Sequence, residues 1–366
     1  MARALIIWAL CVSFVGVART VDSQERVIVS HSVRGSLSIG PLLYGIQKGF
    51  YKDEGIDLLY MSIRADLGIK ALLAGELDYI YSAGTAIRGA VQGVPVRAIS
   101  FDFTKVFHSL MVRPDILSTS ALKGKRVAVS SFGASTDVSA RVALRALGLE
   151  PNRDVTIVAL GEDMIRYAAL HAGTVQAAMM SLPLNIRLKK EGYRELFYVG
   201  KVLQQPLTGL VTSKDNIQRK PAQIHRVMRA FVRGMGAFKS ERASFVSFAQ
   251  KKFGLSKDVT EEAYEYLVDS LAQDGFVEPS VLDSAIEDAK KLVGSDKPIT
   301  HADVVDYSFL RAALKKYYSR TEALLILLLH AIHEVYCYVL TFLGPTELGE
   351  GEKASFRSAR HLLAAR

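Results

Sequence analysis

The segment from Ala71 to Ser100 constrains the fold of this chain more than any other. It reads as the end of a helix, a short strand at Leu77–Tyr81, a loop of small residues and a second helix. The strand is predicted from its length and its aromatic and β-branched content, and the helix from an apolar face at positions 86, 87, 90 and 91. The loop Ser82–Thr85 therefore lies where the carboxyl end of a strand meets the N-terminus of a helix, which is where open α/β sheets bind small ligands.

Such a loop favours an anionic or strongly polar group, because the first N–H groups of a helix have no partner within it. The same loop is also explained as an ordinary βα connection in which Thr85 caps the helix. Repetition favours a site, since Ser130–Thr136 and Ser181–Pro183 are further small, hydroxylated loops that follow a strand and open a helix.

The order of strands and helices indicates two similar lobes. Strands and helices alternate in residues 26–100 and again in residues 126–192. Between them, Phe101–Pro114 reads as a first crossing with Leu110–Val112 as its strand, and Pro206–Ser213 reads as the returning crossing. Two crossings predict a hinge with the ligand between the lobes.

Local patterns add expectations about individual helices. Asp66 is predicted to cap the helix that follows it. Helices from Pro221 to Lys316 are predicted to pack on the first lobe, the last of them over Thr300–Lys316. The helix after Thr136 is predicted to bury an apolar face made of Val138, Val142, Leu144 and Leu147.

Composition narrows the class of partner. The formal net charge is +9, and a charged content of 23% with a hydrophobic content of 49% indicates a globular protein. Lys and Arg residues are scattered and no nucleic-acid motif is visible, so nucleic acid is the least favoured partner. An anionic ligand or an anionic membrane surface remains compatible with the basic body.

The N-terminus has the pattern of a secretory leader over residues 1–18. Arg3 supplies the positive start, Leu5–Val15 is the apolar run, and Gly16 and Ala18 are the small residues of a cleavage site. After cleavage Cys337 is the one remaining cysteine, so the body is expected to have no disulfide, cysteine metal cluster or cysteine nucleophile.

Residues 321–366 form a separate C-terminal tail, with an apolar run at 323–343. The run is long enough for a bilayer, but Glu334 in its middle costs roughly 2.5–3.5 kcal/mol on the insertion scale. A membrane anchor and a docked amphipathic helix both remain open. His330, His333 and Glu334 share a helical face that resembles metal spacing, yet no further ligand supports a metal site. Residues 344–366 are predicted to be disordered.

Short motifs in a fixed order carry a family resemblance. They are Gly40-Pro41-Leu42, Gly49-Phe50-Tyr51, Glu54-Gly55-Ile56-Asp57, Leu73-Ala74-Gly75-Glu76-Leu77-Asp78, Gly93-Val94-Pro95-Val96 and Leu122-Lys123-Gly124-Lys125-Arg126-Val127-Ala128-Val129. The set resembles the substrate-binding proteins of bacterial ABC importers for nitrate, sulfonates, taurine and thiamine-precursor pyrimidines, the SsuA/TauA-like family. The resemblance covers roughly Val27 to Tyr318, and the tail falls outside it.

The resemblance implies an α/β, type II periplasmic-binding-protein fold, with two α/β lobes, a hinge and a ligand cleft. Residues 26–105 and 206–320 would form the first lobe, and residues 106–205 the second. Gln176 departs from the family pattern, which often has Asp there, and this reads as a structural difference. The absence of the Cys-rich motif of the pyrimidine synthases argues against that enzymatic branch.

The resemblance and the loops together imply a set of ligand-binding residues. Arg34 is the candidate counter-ion, the backbone N–H groups of Gly84 and Ala134 lie beside the hydroxyls, and Phe103 or Phe132 could wall the cleft. The full set is Arg34, Ser36, Ser38, Ser82, Gly84, Thr85, Phe132, Ser135, Thr136 and Ser181.

The expected function is that of an extracytoplasmic, non-catalytic binding protein for a small polar or anionic molecule, without cofactor or metal. Its expected partners are an ABC permease and ATPase, and its expected location is the periplasm. Two alternatives remain open. One is an enzyme on the same scaffold that uses His31 as a base or nucleophile. The other is a sensor tethered to the inner membrane through residues 323–343.

Overall fold

The computed structural model describes residues 24–31, 36–63 and 65–319. The predicted leader, Arg34 and the tail at 321–366, with its apolar run and its candidate metal residues, lie outside them. Within the described residues, no helix is long and apolar enough to cross a membrane. The same residues contain no group of three or more His, Cys, Asp or Glu side chains that could hold a metal ion.

The elements are numbered here in chain order within the described residues. The strands are β1 (Glu25–His31), β2 (Ile56–Ser62), β3 (Tyr79–Tyr81), β4 (Val96–Ala98), β5 (Phe103–Lys105), β6 (Ser109–Val112), β7 (Arg126–Val129), β8 (Thr156–Ala159), β9 (Ala177–Met180), β10 (Arg194–Tyr198), β11 (Gln204–Thr208) and β12 (Leu210–Ser213). The helices are α1 (Gly40–Gln47), α2 (Ala65–Leu73), α3 (Ala83–Val91), α4 (Ser135–Ala146), α5 (Asp163–His171), α6 (Leu184–Lys190), α7 (Lys214–Arg219), α8 (Pro221–Ser240), α9 (Arg242–Phe253), α10 (Lys257–Asp269) and α11 (Pro279–Val293). Residues 308–319 are also helical.

The described part of the chain contains two five-stranded sheets with the same strand order. That order is β2-β1-β3-β12-β4 in the first sheet and β8-β7-β9-β6-β10 in the second. Strand β1 in the first sheet and strand β7 in the second are each parallel to both of their neighbours. The inserted strands β12 and β6 are antiparallel to both of theirs. This shared topology confirms the two similar α/β lobes predicted from the sequence.

Strands β5 and β11 form a separate antiparallel pair that joins the two sheets along the chain. The sequence interpretation placed Leu110–Val112 in this crossing, and that was wrong, because these residues lie in β6 and pair with β9. An apolar run is compatible with any buried strand and does not show which sheet the strand joins. The lobe boundaries near residues 105 and 205 stay a prediction.

Two helix predictions were wrong in detail. Helix α2 begins at Ala65, so Asp66 lies in its first turn rather than before it. The segment Thr300–Lys316 is not one helix, since a 3-10 turn at His301–Asp303 precedes the helix that starts at 308.

The buried face of α4 also differs from the expected one. Of the four apolar residues expected there, only Leu144 is buried, while Thr136, Asp137 and Ser139 are buried as well. Each of these polar residues is stabilised by a specific partner. Asp137, for example, accepts from the Gly133 N–H at 2.8 Å and from Arg141 Nε at 3.0 Å.

Helix α11 packs against the first lobe as predicted, but helices α8 to α10 also share a core with residues of the second lobe. Leu182 and Ile186 of the second lobe are buried in one apolar cluster with residues of α1, β5, α8, α9 and α10. Lys189 Nζ adds an ion pair to Glu262 at 2.6 Å. The two lobes are therefore joined by a continuous core as well as by the crossing strands.

Candidate functional site

Four loops at the carboxyl ends of parallel strands carry the candidate residues. In the first sheet, β1 leads to the 36–38 loop and β3 to the 82–85 loop, and these strands are neighbours with Ser30 opposite Ile80. In the second sheet, β7 leads to the 130–136 loop and β9 to the 181–183 loop, with Ala128 opposite Ala178. Each sheet therefore brings two of the predicted loops together at one edge.

The 82–85 loop opens helix α3 as predicted, with Ser82 rather than Thr85 at the N-cap position. The first backbone bond of the turn runs from Ala86 N–H to the Ser82 carbonyl at 3.3 Å. The N–H groups of Gly84 and Thr85 precede it, in the part of a helix that lacks internal acceptors. Ser82 Oγ donates to Thr85 Oγ1 at 3.0 Å, which fixes the loop.

Arg88 completes this loop, and the sequence analysis did not select it. Its side chain turns back toward the helix N-terminus, as helical side chains do, and Nη2 donates to Thr85 Oγ1 at 3.3 Å. Burial lowers the pKa of Arg88 below its ordinary value. Among the described residues, no carboxylate lies within ion-pair distance of its guanidinium. The signal in the sequence was the spacing of Thr85 and Arg88, three residues apart on one helix face.

The 36–38 loop is tied to the end of β1 through His31. His31 Nε2 lies 3.1 Å from Ser38 Oγ, and Nδ1 lies 2.8 Å from the carbonyl oxygen of Tyr81. Ser36 Oγ lies 2.8 Å from Ser38 Oγ and accepts from the Ser38 N–H at 3.2 Å. Burial lowers the pKa of His31 to about 4, so the imidazole is neutral near neutral pH.

The 130–136 loop differs from expectation in its donors. The sequence predicted that the Ala134 N–H would be available to a ligand. It instead donates to the Ser131 carbonyl at 3.2 Å. Thr136 is buried and its Oγ1 accepts from the Ser130 N–H at 3.0 Å, which ties the helix start to the strand end. Ser135 is partly buried at the first position of α4. Phe132 is 65% exposed.

The 181–183 loop lies against a buried ion pair. Ser181 Oγ donates to Asp163 Oδ1 at 3.5 Å, and the same carboxylate pairs with the fully buried Arg166. Arg166 Nε also donates to the Met179 carbonyl at 2.9 Å. Because Asp163 neutralises it, Arg166 is a structural cation rather than a free one.

Phe103 does not wall a cleft, since it is fully buried and packs edge-on against Phe107 and Phe238. A cavity of about 510 Å³ opens beside the crossing strands, where Lys105 and Gln204 form part of its lining. None of the four loops lines it, so this cavity is separate from the predicted site.

A buried carboxylate beside the crossing strands was also missed from the sequence. Asp102 is fully buried, and its Oδ1 accepts from Thr208 Oγ1 at 2.5 Å and from the Phe103 N–H at 3.0 Å. The hydroxyl of Tyr81 donates to Oδ2. Burial raises the pKa of Asp102 to about 7, although these hydrogen bonds lower it in part.

Comparison with known protein families finds a match to a family model. The family model described as NMT1/THI5 like matches residues 37–241, which is 205 of the 366 residues. No curated protein sequence matches the chain.

Solved structures share the fold at low sequence identity. The alkanesulfonate-binding protein SsuA from Xanthomonas axonopodis pv. citri, bound to MOPS, is 16% identical with a TM-score of 0.63, over 79% of this chain and 97% of that one. A Candida albicans protein described as having the generic periplasmic binding protein fold is 14% identical with a TM-score of 0.61, over 80% and 95%. The desulfurization enzyme DSZB is 15% identical with a TM-score of 0.61, over 80% and 100%.

Proposed function

Because the chain belongs to the NMT1/THI5-like family, we propose that it is the extracytoplasmic solute-binding component of an ABC import system. Its ligand is a small anionic molecule, held in the cleft between the two lobes. The proposal is supported by the fold shared with a sulfonate-binding protein and by the leader-like residues 1–18. Its partners would be a permease and an ATPase, and its location the periplasm.

The observation that carries the proposal is Arg88. A partly buried guanidinium that no carboxylate of the described residues neutralises is costly in the unliganded protein, and an anion removes that cost. The N-terminus of α3 lies beside it and favours the same charge. These groups favour an anion such as a sulfonate, carboxylate or nitrate over a neutral pyrimidine.

The remaining candidate residues would complete the cleft. In the first lobe these are Ser36, Ser38, Ser82, Gly84 and Thr85, with Arg34 on the segment before them. In the second lobe they are Phe132, Ser135, Thr136 and Ser181. Ser135 and Phe132 are the more accessible of the second group, while Thr136 and Ser181 act mainly by holding their loops in place.

The test is a thermal-shift and calorimetric screen of the purified protein against nitrate, sulfonates, carboxylates, taurine and pyrimidines. A ligand at a hundred times its Kd adds about 2.7 kcal/mol to the free energy of unfolding, which shifts the midpoint measurably. We expect anions to bind and pyrimidines to fail. A cooperatively folded protein that binds none of these anions contradicts the proposal.

Arg88→Met tests the role of the guanidinium. Loss of charge-assisted hydrogen bonds weakens anion binding by about tenfold or more. The unliganded variant should be as stable as the parent, because an uncompensated charge has been removed. Arg219→Met is the matched control, since the Arg219 side chain is 77% exposed and pairs with Asp215 on the surface. Unchanged anion affinity in Arg88→Met would exclude Arg88 as the counter-ion.

An enzyme on the same scaffold is the second candidate, and a specific contact favours it. Ser38 Oγ and His31 Nε2 lie 3.1 Å apart, which is the geometry of a nucleophile and its base. The second imidazole nitrogen meets a backbone carbonyl rather than a carboxylate. Turnover of a bound ligand that is lost in His31→Ala would establish this function, and binding without turnover would exclude it.

A further inference from the structure

The direction of every hydrogen bond around His31 can be assigned. The Tyr81 carbonyl only accepts, so His31 Nδ1 carries the proton and donates to it at 2.8 Å. The imidazole is buried and neutral, so Nε2 carries a lone pair and accepts from the Ser38 hydroxyl at 3.1 Å. The proton of Ser38 is therefore used within the protein.

The assignment continues to Ser36. Since the proton of Ser38 is directed at His31, the contact of 2.8 Å between the two hydroxyls is a donation from Ser36 to Ser38. Ser36 Oγ in turn accepts from the Ser38 N–H at 3.2 Å. A hydroxyl has one proton and two lone pairs, so each serine keeps one lone pair and no proton for a ligand. The 36–38 loop thus offers acceptors alone through these two side chains.

The neighbouring 82–85 loop has the opposite assignment. Thr85 Oγ1 accepts from Ser82 Oγ at 3.0 Å and from Arg88 Nη2 at 3.3 Å, which uses both of its lone pairs. The Thr85 proton is left as a donor, beside the guanidinium and the N-terminus of α3. Strands β1 and β3 are adjacent, so the 36–38 loop, which offers acceptors, and the 82–85 loop, which offers donors, lie side by side at one edge of the sheet.

The kind of ligand group that would donate to the 36–38 loop can be specified further. The side chains of His31, Ser36 and Ser38 make no contact with a carboxylate among the described residues. An ammonium group buried against neutral oxygens alone would lose its hydration without gaining a counter-charge. A hydroxyl or an amide N–H needs no counter-charge and is satisfied by one lone pair.

We infer that the ligand is an organic anion with a hydroxyl or amide N–H at the end opposite its acid group, and that His31 is the positioning residue that selects it. The inference rests on the proposed function, since it assigns the ligand class of the same cleft. Inorganic anions and simple alkyl anions would bind less well, because they leave the serine lone pairs without a donor.

Three sulfonates of similar size test the inference on the purified protein by calorimetry. They are ethanesulfonate, 2-hydroxyethanesulfonate and 2-aminoethanesulfonate. We expect 2-hydroxyethanesulfonate to bind about tenfold or more tightly than the other two, which is the effect of one satisfied buried donor–acceptor pair. Equal or tighter binding of ethanesulfonate or 2-aminoethanesulfonate overturns the inference while the proposed function stands. Failure of all three sulfonates, and of the matching carboxylates propionate and 3-hydroxypropionate, overturns the inference. It overturns the proposed function as well only if every anion of the earlier screen, nitrate included, also fails to bind.

Ser38→Ala tests the hydrogen-bond assignment itself. Without Ser38 Oγ, the Ser36 proton loses its acceptor and becomes a donor to the ligand. The preference for 2-hydroxyethanesulfonate over ethanesulfonate should then fall to within about threefold. Ser118→Ala is the matched control, because Ser118 and Ser120 form an exposed hydroxyl pair at 3.0 Å away from these loops. A preference that Ser38→Ala leaves unchanged would overturn the assigned role of His31.

Discussion

Asp102→Asn should remove a large pH dependence from the stability of this protein. Asp102 is fully buried beside the crossing strands, and burial raises its pKa from 3.8 to about 7. The folded protein therefore retains a proton between about pH 4 and pH 7 that the unfolded chain releases. The free energy of unfolding falls as pH rises through this window, because the folded state binds more protons than the unfolded state.

The magnitude follows from the width of that window. An interval of about three pH units at about 1.36 kcal/mol per unit gives an upper estimate of about 4 kcal/mol. Below about pH 4 the carboxyl is neutral in both states, and above about pH 7 it is ionised in both, so the loss is confined between them. Asn is neutral throughout and keeps an oxygen to accept from Thr208 and from the Phe103 N–H.

Urea unfolding at half-unit intervals from pH 4 to pH 9 measures the effect. The free energies of Asp102→Asn and of the parent protein should diverge between pH 4 and pH 7, in favour of the variant, by up to about 4 kcal/mol. The other carboxylates and the histidines contribute equally to both proteins and cancel in the difference. Asp115→Asn is the control, since the Asp115 side chain is 66% exposed. A difference between Asp102→Asn and the parent that is constant with pH would refute the reasoning.

Two further predictions concern packing. In Gly209→Ala, the new Cβ would lie 2.1 Å from the Ser100 carbonyl oxygen and 2.7 Å from Phe101 Cα, which are both backbone atoms. The free energy of unfolding in urea should therefore fall by more than about 3 kcal/mol. A fall below about 1 kcal/mol would contradict this. Ile186→Ala removes a fully buried side chain from the core shared by the two lobes and should cost about 2–5 kcal/mol. Its control is Leu117→Ala, at a side chain that is 73% exposed, and similar losses in the two variants would contradict the shared core.

The sequence predicted the lobes and the loops because their signals are local. Alternating strands and helices, with Gly75, Gly93, Gly148 and Gly173 between them, mark each element by residues close in the chain. The loops were found for the same reason, since Ser82–Thr85 stands between an aromatic strand and an apolar helix face. The two halves of the sequence that resemble each other thus fold into two sheets with the same strand order.

The errors concern partners that are distant in sequence. Ser139 was not among the residues expected on the buried face of α4, but it is buried, with His108 Nδ1 2.8 Å from its hydroxyl. Burial, aided by the charge of Arg166, lowers the pKa of His108 to about 3, so this pair is neutral. Asp102 is satisfied by Thr208, which is 106 residues away. No local pattern shows which polar residue will find such a partner.

The candidate site shows the same contrast between local sequence signals and partners that are distant in sequence. The hydroxylated residues of the loops could be listed from the sequence, but their proton directions depend on His31 meeting the Tyr81 carbonyl across two strands. Arg88 was passed over because its neighbours on α3 are apolar and small, and an isolated arginine reads as solvent-exposed. That no carboxylate in the described part of the chain pairs with it is visible only in three dimensions.

The strand order of the two sheets has a consequence for how the chain is made. All strands of the second sheet lie within residues 109–198, so this sheet can form as soon as that stretch of the chain is available to fold. The first sheet cannot, because β12 lies between β3 and β4 and is synthesised only after the entire second sheet. Until then β3 presents an unpaired edge, which is a template for pairing with other chains. The second sheet along the chain is thus the first whose strands are all available, and the first sheet is completed only when β12 reaches β3 and β4.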